Sequence, residues 1–270
     1  LSKRAVSHWT VILLGIIEGI TEFLPVSSTG HLLLAEQWLR LPRQPSELFN
    51  IVIQSGAVLA VLFAFAGRLA QMARDWKTPT VRDYSLKLAA AFIITAIGGF
   101  LLKQAGLKLP ETAAPVAWAT LIGGVVILVV ERFLGLRSGA AIVSWPAAII
   151  IGLSQLVAAS FPGTSRSGAT IIAGILLGLN RPAATEFSFL LGVPTLLAAS
   201  AYSLLRTLRH PDDFHEPWSQ LLLATIVAAI TAFIVVRWLL RFVQTHTFTA
   251  FGWYRLFLGG LILALLVLKS

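Results

Sequence analysis

The chain contains no cysteine. Disulfide bonds and thiolate-held metal ions are therefore excluded, and the redox compartment leaves no trace in the sequence. Charge is scarce too. Asp, Glu, Lys and Arg make up 12% of the 270 residues, about half the ~25% usual in a soluble domain. Hydrophobic residues make up 57%, and the mean hydropathy is +0.83. These values exclude an ordinary soluble domain and define an integral membrane protein. Long apolar runs, in place of alternating segments of about ten residues, select helices over a closed β-barrel. Leu1 to His8 is too short and polar to be a cleavable signal peptide. The formal charge of +9 is scattered among short inter-helix stretches. It points to lipid headgroups and topology signals, and away from nucleic acid.

Within this apolar background one stretch carries chemistry: Gly15 to His31, GIIEGITEFLPVSSTGH. A carboxylate at bilayer depth costs roughly 2.5–3.5 kcal/mol even on lenient insertion scales, so such groups usually face a cavity and serve function. Glu18 and Glu22 are four apart, on one helical face. Pro25 is expected to break that helix. Ser27, Ser28 and Thr29 are N-cap types for a second helix running through His31 towards Leu39.

Further along, Arg40–Ser46 reads as a loop and Leu48–Ala66 as a span containing Gln54. Gly67–Asp83 reads as the longest basic loop. Tyr84–Leu102 and Ala114–Val130 span, and Glu131–Gly139 is expected to return to water. Val143–Ala159 is apolar but holds Pro146 and Gln155, and it runs into FPGTSRSGAT (Phe161 to Thr170) and the short Ile171–Leu179. Thr185–Leu205, Trp218–Leu240 and Phe251–Leu268 complete the spans. Gln54 and Gln155 read as packing or hydrogen-bond partners, and Glu186 as a group near a membrane edge or paired with a base. His210–Glu216 (HPDDFHE) reads as a solvated loop, not a metal cluster. Trp9, Trp38, Trp76, Trp218 and Trp253 read as interfacial anchors.

The two interrupted regions correspond. A shift of 137 sets Gly15 on Gly152, Glu18 on Gln155, Pro25 on Pro162 and Ser28 on Ser165, and one extra residue sets Leu48–Ala60 on Glu186–Ala198. Each half then reads as a broken short pair followed by three spans. Three is odd, so the halves must face opposite ways. The expected architecture is an all-α polytopic membrane protein, a single domain over residues 1–270. It has six transmembrane helices, two re-entrant helical hairpins and inverted-topology repeat halves of about 9–133 and 144–268, with the hairpin tips meeting inside. The dense Arg68–Arg82 stretch places its side in the cytoplasm.

At each tip a helix would start in buried surroundings, where unpaired N–H groups and a partial positive charge bind phosphate. The first tip offers Ser27, Ser28, Thr29 and His31. The second offers Gly163, Thr164, Ser165, Arg166, Ser167 and Thr170. Arg166 reads as the only strong cation in the apolar neighbourhood, with a planar fork suited to phosphate oxygens. Glu18 and Glu22 suit a divalent cation (Mg²⁺ or Ca²⁺) or the activation of a hydroxyl. Together these are the parts of a phosphoryl-transfer site, and its place in a membrane suggests a lipid phosphate as substrate. A transporter of the same lipid is the rival class.

EGITEFLPVSSTGH (Glu18 to His31) and PGTSRSGAT (Pro162 to Thr170) resemble the two signature motifs of the bacterial undecaprenyl-diphosphate phosphatase family of the bacitracin-resistance type. Both motifs are complete here. The resemblance runs nearly the full length, including VIQSG (Val52 to Gly56) and EFSFLL (Glu186 to Leu191). It implies release of the terminal phosphate from a polyprenyl diphosphate, a divalent-cation requirement, and a site open to the periplasm in a multi-pass inner-membrane protein. It also implies roles: Glu18 and Glu22 as the acidic pair, Ser28 and His31 on the nucleophile side, and Arg166 as the phosphate clamp. Ser27, Thr29, Gly163, Thr164, Ser165, Ser167, Thr170 and Gln54 are expected around the substrate.

Overall fold

The computed structural model describes residues 7–39, 47–106, 112–134, 139–209 and 217–268. Arg40–Ser46, the sequence around Lys108 and His210–Glu216 lie outside these ranges. Among the described residues the chain is helical: α1 (His8–Thr21), α2 (Ser28–Trp38), α3 (Glu47–Ala64), α4 (Ala66–Arg74), α5 (Pro79–Gln104), α6 (Ala113–Leu134), α7 (Trp145–Ser160), α8 (Arg166–Leu176), α9 (Arg181–Arg209), α10 (Trp218–Phe242) and α11 (Thr249–Val267). Five of these (α5, α6, α9, α10 and α11) are long and apolar enough to cross a membrane, and α3 with α4 forms a sixth candidate bent by 65°. The α1 and α2 helices have 14 and 11 residues, and α7 and α8 have 16 and 11. At 1.5 Å per residue none reaches ~30 Å, the thickness of a bilayer core.

Local sequence explains the ends. Ser7 and Ser144 cap α1 and α7 by accepting from the N–H groups of Thr10 and Ala147. Pro79 and Pro146 sit in the first turn of α5 and α7, where no N–H is needed. Two expectations need correction here. The α1 helix stops at Thr21, before Pro25, because Glu22–Val26 form the turn itself. Gly67–Asp83 is not one loop. Arg68, Gln71 and Arg74 recur at helical spacing on α4 while Leu69 packs on the core, and α5 begins at Pro79.

Small residues let the short helices sit close to their neighbours. A Cβ on Gly15 or Gly19 would come within 2.7 or 2.6 Å of the Ala224 or Ala228 carbonyl oxygen of α10, and one on Gly152 of α7 within 2.8 Å of the Ala91 oxygen of α5. Without a hydrophobic drive between helices in lipid, such close backbone approach supplies the packing. Gln155, as expected, is a hydrogen-bond partner. Its Nε2 donates to Thr95 Oγ1 at 2.9 Å, linking α7 to α5. The five anchor tryptophans are all exposed.

Glu131 does not return to water. Its side chain is 2% exposed and takes a bidentate pair from Arg181, with Nη2–Oε2 at 2.6 Å and Nε–Oε1 at 3.1 Å. It also accepts the Phe248 N–H at 2.9 Å. One carboxylate thus joins α6, the start of α9 and the approach to α11. Replacing Glu131 by Ala removes the ion pair to Arg181 and strands the buried Phe248 N–H, so unfolding free energy in detergent should fall by about 1–3 kcal/mol. A thermal melt unchanged from that of the unmodified protein would refute this. Glu186 meets expectation by pairing with Arg68 at 3.0 Å and accepting from Tyr84.

Candidate active site

Both tips rest on one device. Ser27 caps α2 at φ 74° and Ser165 caps α8 at φ 70°. Each hydroxyl accepts the N–H three residues on, from Gly30 at 3.4 Å and Gly168 at 3.2 Å. A non-glycine residue at positive φ is uncommon and tends to mark a functional site. The two caps correspond to each other, so Ser28 matches Arg166 and Gly30 matches Gly168. The match of Ser28 with Ser165 is therefore one residue out at the tip. The second turn carries one residue more between its proline and its cap, and Gly163 absorbs it at φ 99°, where a Cβ would lie 2.3 Å from the Val116 oxygen.

Glu22 is the hub of the site. Its Oε2 accepts from Ser28 Oγ at 2.9 Å, and its Oε1 accepts from Arg166 Nη2 at 3.2 Å. The side chains of Glu22 and Arg166 are 7% and 13% exposed. The guanidinium lies over the Phe23 ring, 5.5 Å from its centroid. It fits only because α9 offers Gly192 there, since a Cβ would sit 2.4 Å from Nη1. Arg166 Nε and Nη1 are buried, and two of its donors are thus left without a hydrogen-bond partner. The adjoining chamber, about 120 Å³, is lined by Glu22, Ser27, Ser28, Thr29 and Gln54 from one side and by Gly163, Ser165 and Arg166 from the other.

Glu18 is fully buried, and neither carboxylate oxygen has a hydrogen-bond partner. Glu22 and Arg166 are its charged neighbours. An ionised carboxylate buried without a partner is costly, and either a proton or an added positive group relieves it.

Other candidates turn to the joint between the tips. Ser167 Oγ donates to the Leu24 carbonyl at 3.0 Å, and Ser165 Oγ reaches the same oxygen at 3.5 Å. Thr170 Oγ1 meets Ser188 Oγ at 2.5 Å, tying α8 to α9. Thr164 borders an apolar groove outside the chamber. His31 does not reach Glu22 or Ser28. Its Nδ1 is 2.8 Å from the Ser27 carbonyl, and its Nε2 is 2.6 Å from the Tyr254 hydroxyl.

Arg166 is not alone, and this is the second correction at the site. Arg255 of α11 is fully buried. It donates to five backbone carbonyls: Pro25 of the first tip, Gly163 and Thr164 of the second, and Ala119 and Thr120 of α6. Gly123 makes the space, because a Cβ would lie 2.1 Å from Nη2. The sequence held a signal for this residue, an arginine six residues into an otherwise apolar final span, but it lay outside both motifs.

Apolar helices with two helix starts, a hydroxyl–carboxylate–guanidinium chain and an unpartnered second carboxylate in their interior define the class: a helical membrane protein with a buried polar site. The chain matches the family described as bacitracin resistance protein BacA over residues 11–261, and it belongs to that family. It is similar to a protein named undecaprenyl-diphosphatase from Rhizobium etli (strain CIAT 652), with 50% identity over 254 residues, covering 94% of this chain and 95% of that one. A protein of the same name from Xanthomonas euvesicatoria pv. vesicatoria is 49% identical over 255 residues, again covering 94% and 95%.

Proposed function

We propose that the protein releases the terminal phosphate of undecaprenyl diphosphate, leaving undecaprenyl phosphate for reuse as a cell-wall lipid carrier. The observation that carries this reading is the Ser28–Glu22–Arg166 chain across two helix starts. Family membership and the names of relatives about 50% identical support it. The proposed topology has six spans, with α3 and α4 counted as one, and two re-entrant hairpins, α1–α2 and α7–α8, entering from opposite faces as inverted repeats. The matching serine caps and the paired packing of α1 on α10 and α7 on α5 support it. The protein sits in the bacterial inner membrane with the first hairpin entering from the periplasmic side.

In the mechanism, the terminal phosphoryl group lies in the chamber with its oxygens on the Arg166 guanidinium and on the N–H groups at the starts of α2 and α8. Ser28 Oγ attacks the terminal phosphorus and passes its proton to Glu22, whose Oε2 it already touches. The anhydride P–O bond breaks, Glu22 hands that proton to the departing undecaprenyl phosphate, and Glu22 is a carboxylate again. Glu22 then deprotonates a water that cleaves the phosphoserine, and the proton returns to Ser28. Arg166 stabilises the equatorial oxygens throughout. His31 holds the Ser27 carbonyl and so sets the angle at which α2 presents Ser28. Ser27, Thr29, Gly163, Ser165 and Gln54 border the phosphate, while Thr164, Ser167 and Thr170 hold the second tip in place.

A divalent cation (Mg²⁺ or Ca²⁺) fits the donor set. Glu18 has two orphaned oxygens beside Glu22, and the described residues contain no cluster of three or more metal-binding side chains. Two carboxylates completed by substrate phosphate are a usual arrangement for Mg²⁺. Glu18 and Glu22 would hold the ion, which supplies positive charge to the phosphate oxygens when bound.

The test is free-phosphate release from undecaprenyl diphosphate by detergent-purified protein, with and without chelator. Release that stops with chelator and resumes with added Mg²⁺ or Ca²⁺ is expected. Passage of intact lipid across vesicles without phosphate release would overturn the phosphatase reading in favour of transport.

A further inference from the structure

Two grooves run along the outside of the hairpins, and they differ in what lies at the floor. One, about 930 Å³, lies between α1, α2 and α11, with walls of Leu13, Ile17, Leu34, Phe257, Leu261 and Leu265. Gln37 and Trp38 mark its outer end, at the surface where α2 finishes. At its floor His31 and Tyr254 stack with ring centroids 5.5 Å apart and planes 6° apart, joined by a 2.6 Å hydrogen bond. The other groove, about 540 Å³, runs along α6 and α8, bordered by Trp118, Ile122, Ile172 and Leu176. Its floor is Thr164, Gly168 and Arg255, on the side of the clamp helix.

We propose that the groove between α1, α2 and α11 binds the polyprenyl chain of the substrate, beyond the first isoprene units that farnesyl diphosphate shares with it. This rests on the phosphatase reading above. The groove's walls are aliphatic and aromatic and carry no charge, matching a hydrocarbon chain. Its floor is continuous with the reacting turn. A carbonyl oxygen only accepts, so His31 Nδ1 donates to Ser27, Nε2 remains to accept, and the Tyr254 hydroxyl donates to it. One ring therefore separates the groove from the Ser27 cap and from Ser28. The chain also has to lie in the leaflet from which its hairpin enters. With the two hairpins entering from opposite faces, this groove opens into the leaflet of the nucleophile, and the α6–α8 groove opens into the other.

Undecaprenyl diphosphate and the short farnesyl diphosphate would be assayed with the unmodified full chain, with Leu261→Trp (which fills the proposed groove) and with Ile122→Trp (which fills the other). Thermal melts confirm that each variant is folded. Leu261→Trp should raise KM for undecaprenyl diphosphate by about tenfold or more, while kcat/KM for farnesyl diphosphate stays within about twofold of the unmodified value. Ile122→Trp should leave both unchanged. A rise in long-chain KM with Ile122→Trp alone would move the chain to the other groove and overturn the proposal. Equal losses on both substrates with Leu261→Trp, or no change in either variant, would also overturn it. If the unmodified protein released phosphate from neither substrate, the phosphatase reading itself would fall, an outcome distinct from all of these.

Discussion

Glu22→Gln and Ser28→Ala are each expected to reduce phosphate release by a factor on the order of 10²–10⁴, the range contributed by a positioned acid–base group. Glu22 accepts from both Ser28 and Arg166. The glutamine keeps the shape of the side chain but offers an amide where a base is needed. Ser28→Ala removes the attacking oxygen and leaves the carboxylate in place. Because the two act as a unit, the double variant should lose little more than either single one. Rapid acid quench of the unmodified protein should trap a phosphoserine at position 28. If Ser28→Ala retained near-normal turnover and no adduct formed, water would be the nucleophile and the covalent route would be wrong. Substrate binding should survive Ser28→Ala, since Arg166 and the helix starts remain.

Arg255→Met and Arg255→Lys should both abolish activity, and both should lower the melting temperature in detergent. The guanidinium satisfies five carbonyls drawn from two tips and a span. Methionine fills the volume but strands the Pro25 and Thr164 oxygens at the two tips, at about 1–3 kcal/mol for a buried group so left. Lysine keeps the charge but has three donors on a single atom, and it cannot span carbonyls arranged around a fork. A drop of about 10 °C for the methionine variant is expected, taking a few kcal/mol at 2–4 °C each. The lysine variant separates the two explanations. If Arg255 mattered only as a positive charge near the phosphate, lysine would preserve most of the activity. Activity of Arg255→Lys above half that of the unmodified protein would remove the strut role argued from the geometry.

Much of this was legible in the order of residues. The long apolar runs located the spanning helices, because hydrocarbon solvent imposes length and composition directly. Glu18, Glu22 and Arg166 stood out because each is expensive where it lies. The physical reasons for the misses differ. Nothing in Arg68, Gln71 and Arg74 distinguishes a helix from a basic loop until Leu69 finds a surface to cover. Glu131 looked solvated because its partners, Arg181 and the Phe248 N–H, lie far along the chain. Arg255 was hidden for a related reason, since its acceptors are backbone oxygens, which every residue has. His31 was legible as a polar residue of the first tip, but its direction depends on Tyr254 and on a carbonyl. The one-residue slip at the second tip is conformational. It is carried by Gly163 at positive φ, which pattern matching does not see.

The correspondence of the two serine caps puts Ser28 and Arg166 in equivalent slots, each the first residue of its helix. Two equal helix starts alone would make a cradle with no front or back, holding an anion equally well in either sense. Displacement at phosphorus has a direction, because electrons arrive on one side and leave on the other. Filling one slot with a hydroxyl and its twin with a guanidinium turns that neutral cradle into a vectorial one. In the proposed reaction the asymmetry is carried by this pair together with Glu18 and Glu22 of the first tip, and the surrounding scaffold can remain nearly symmetric.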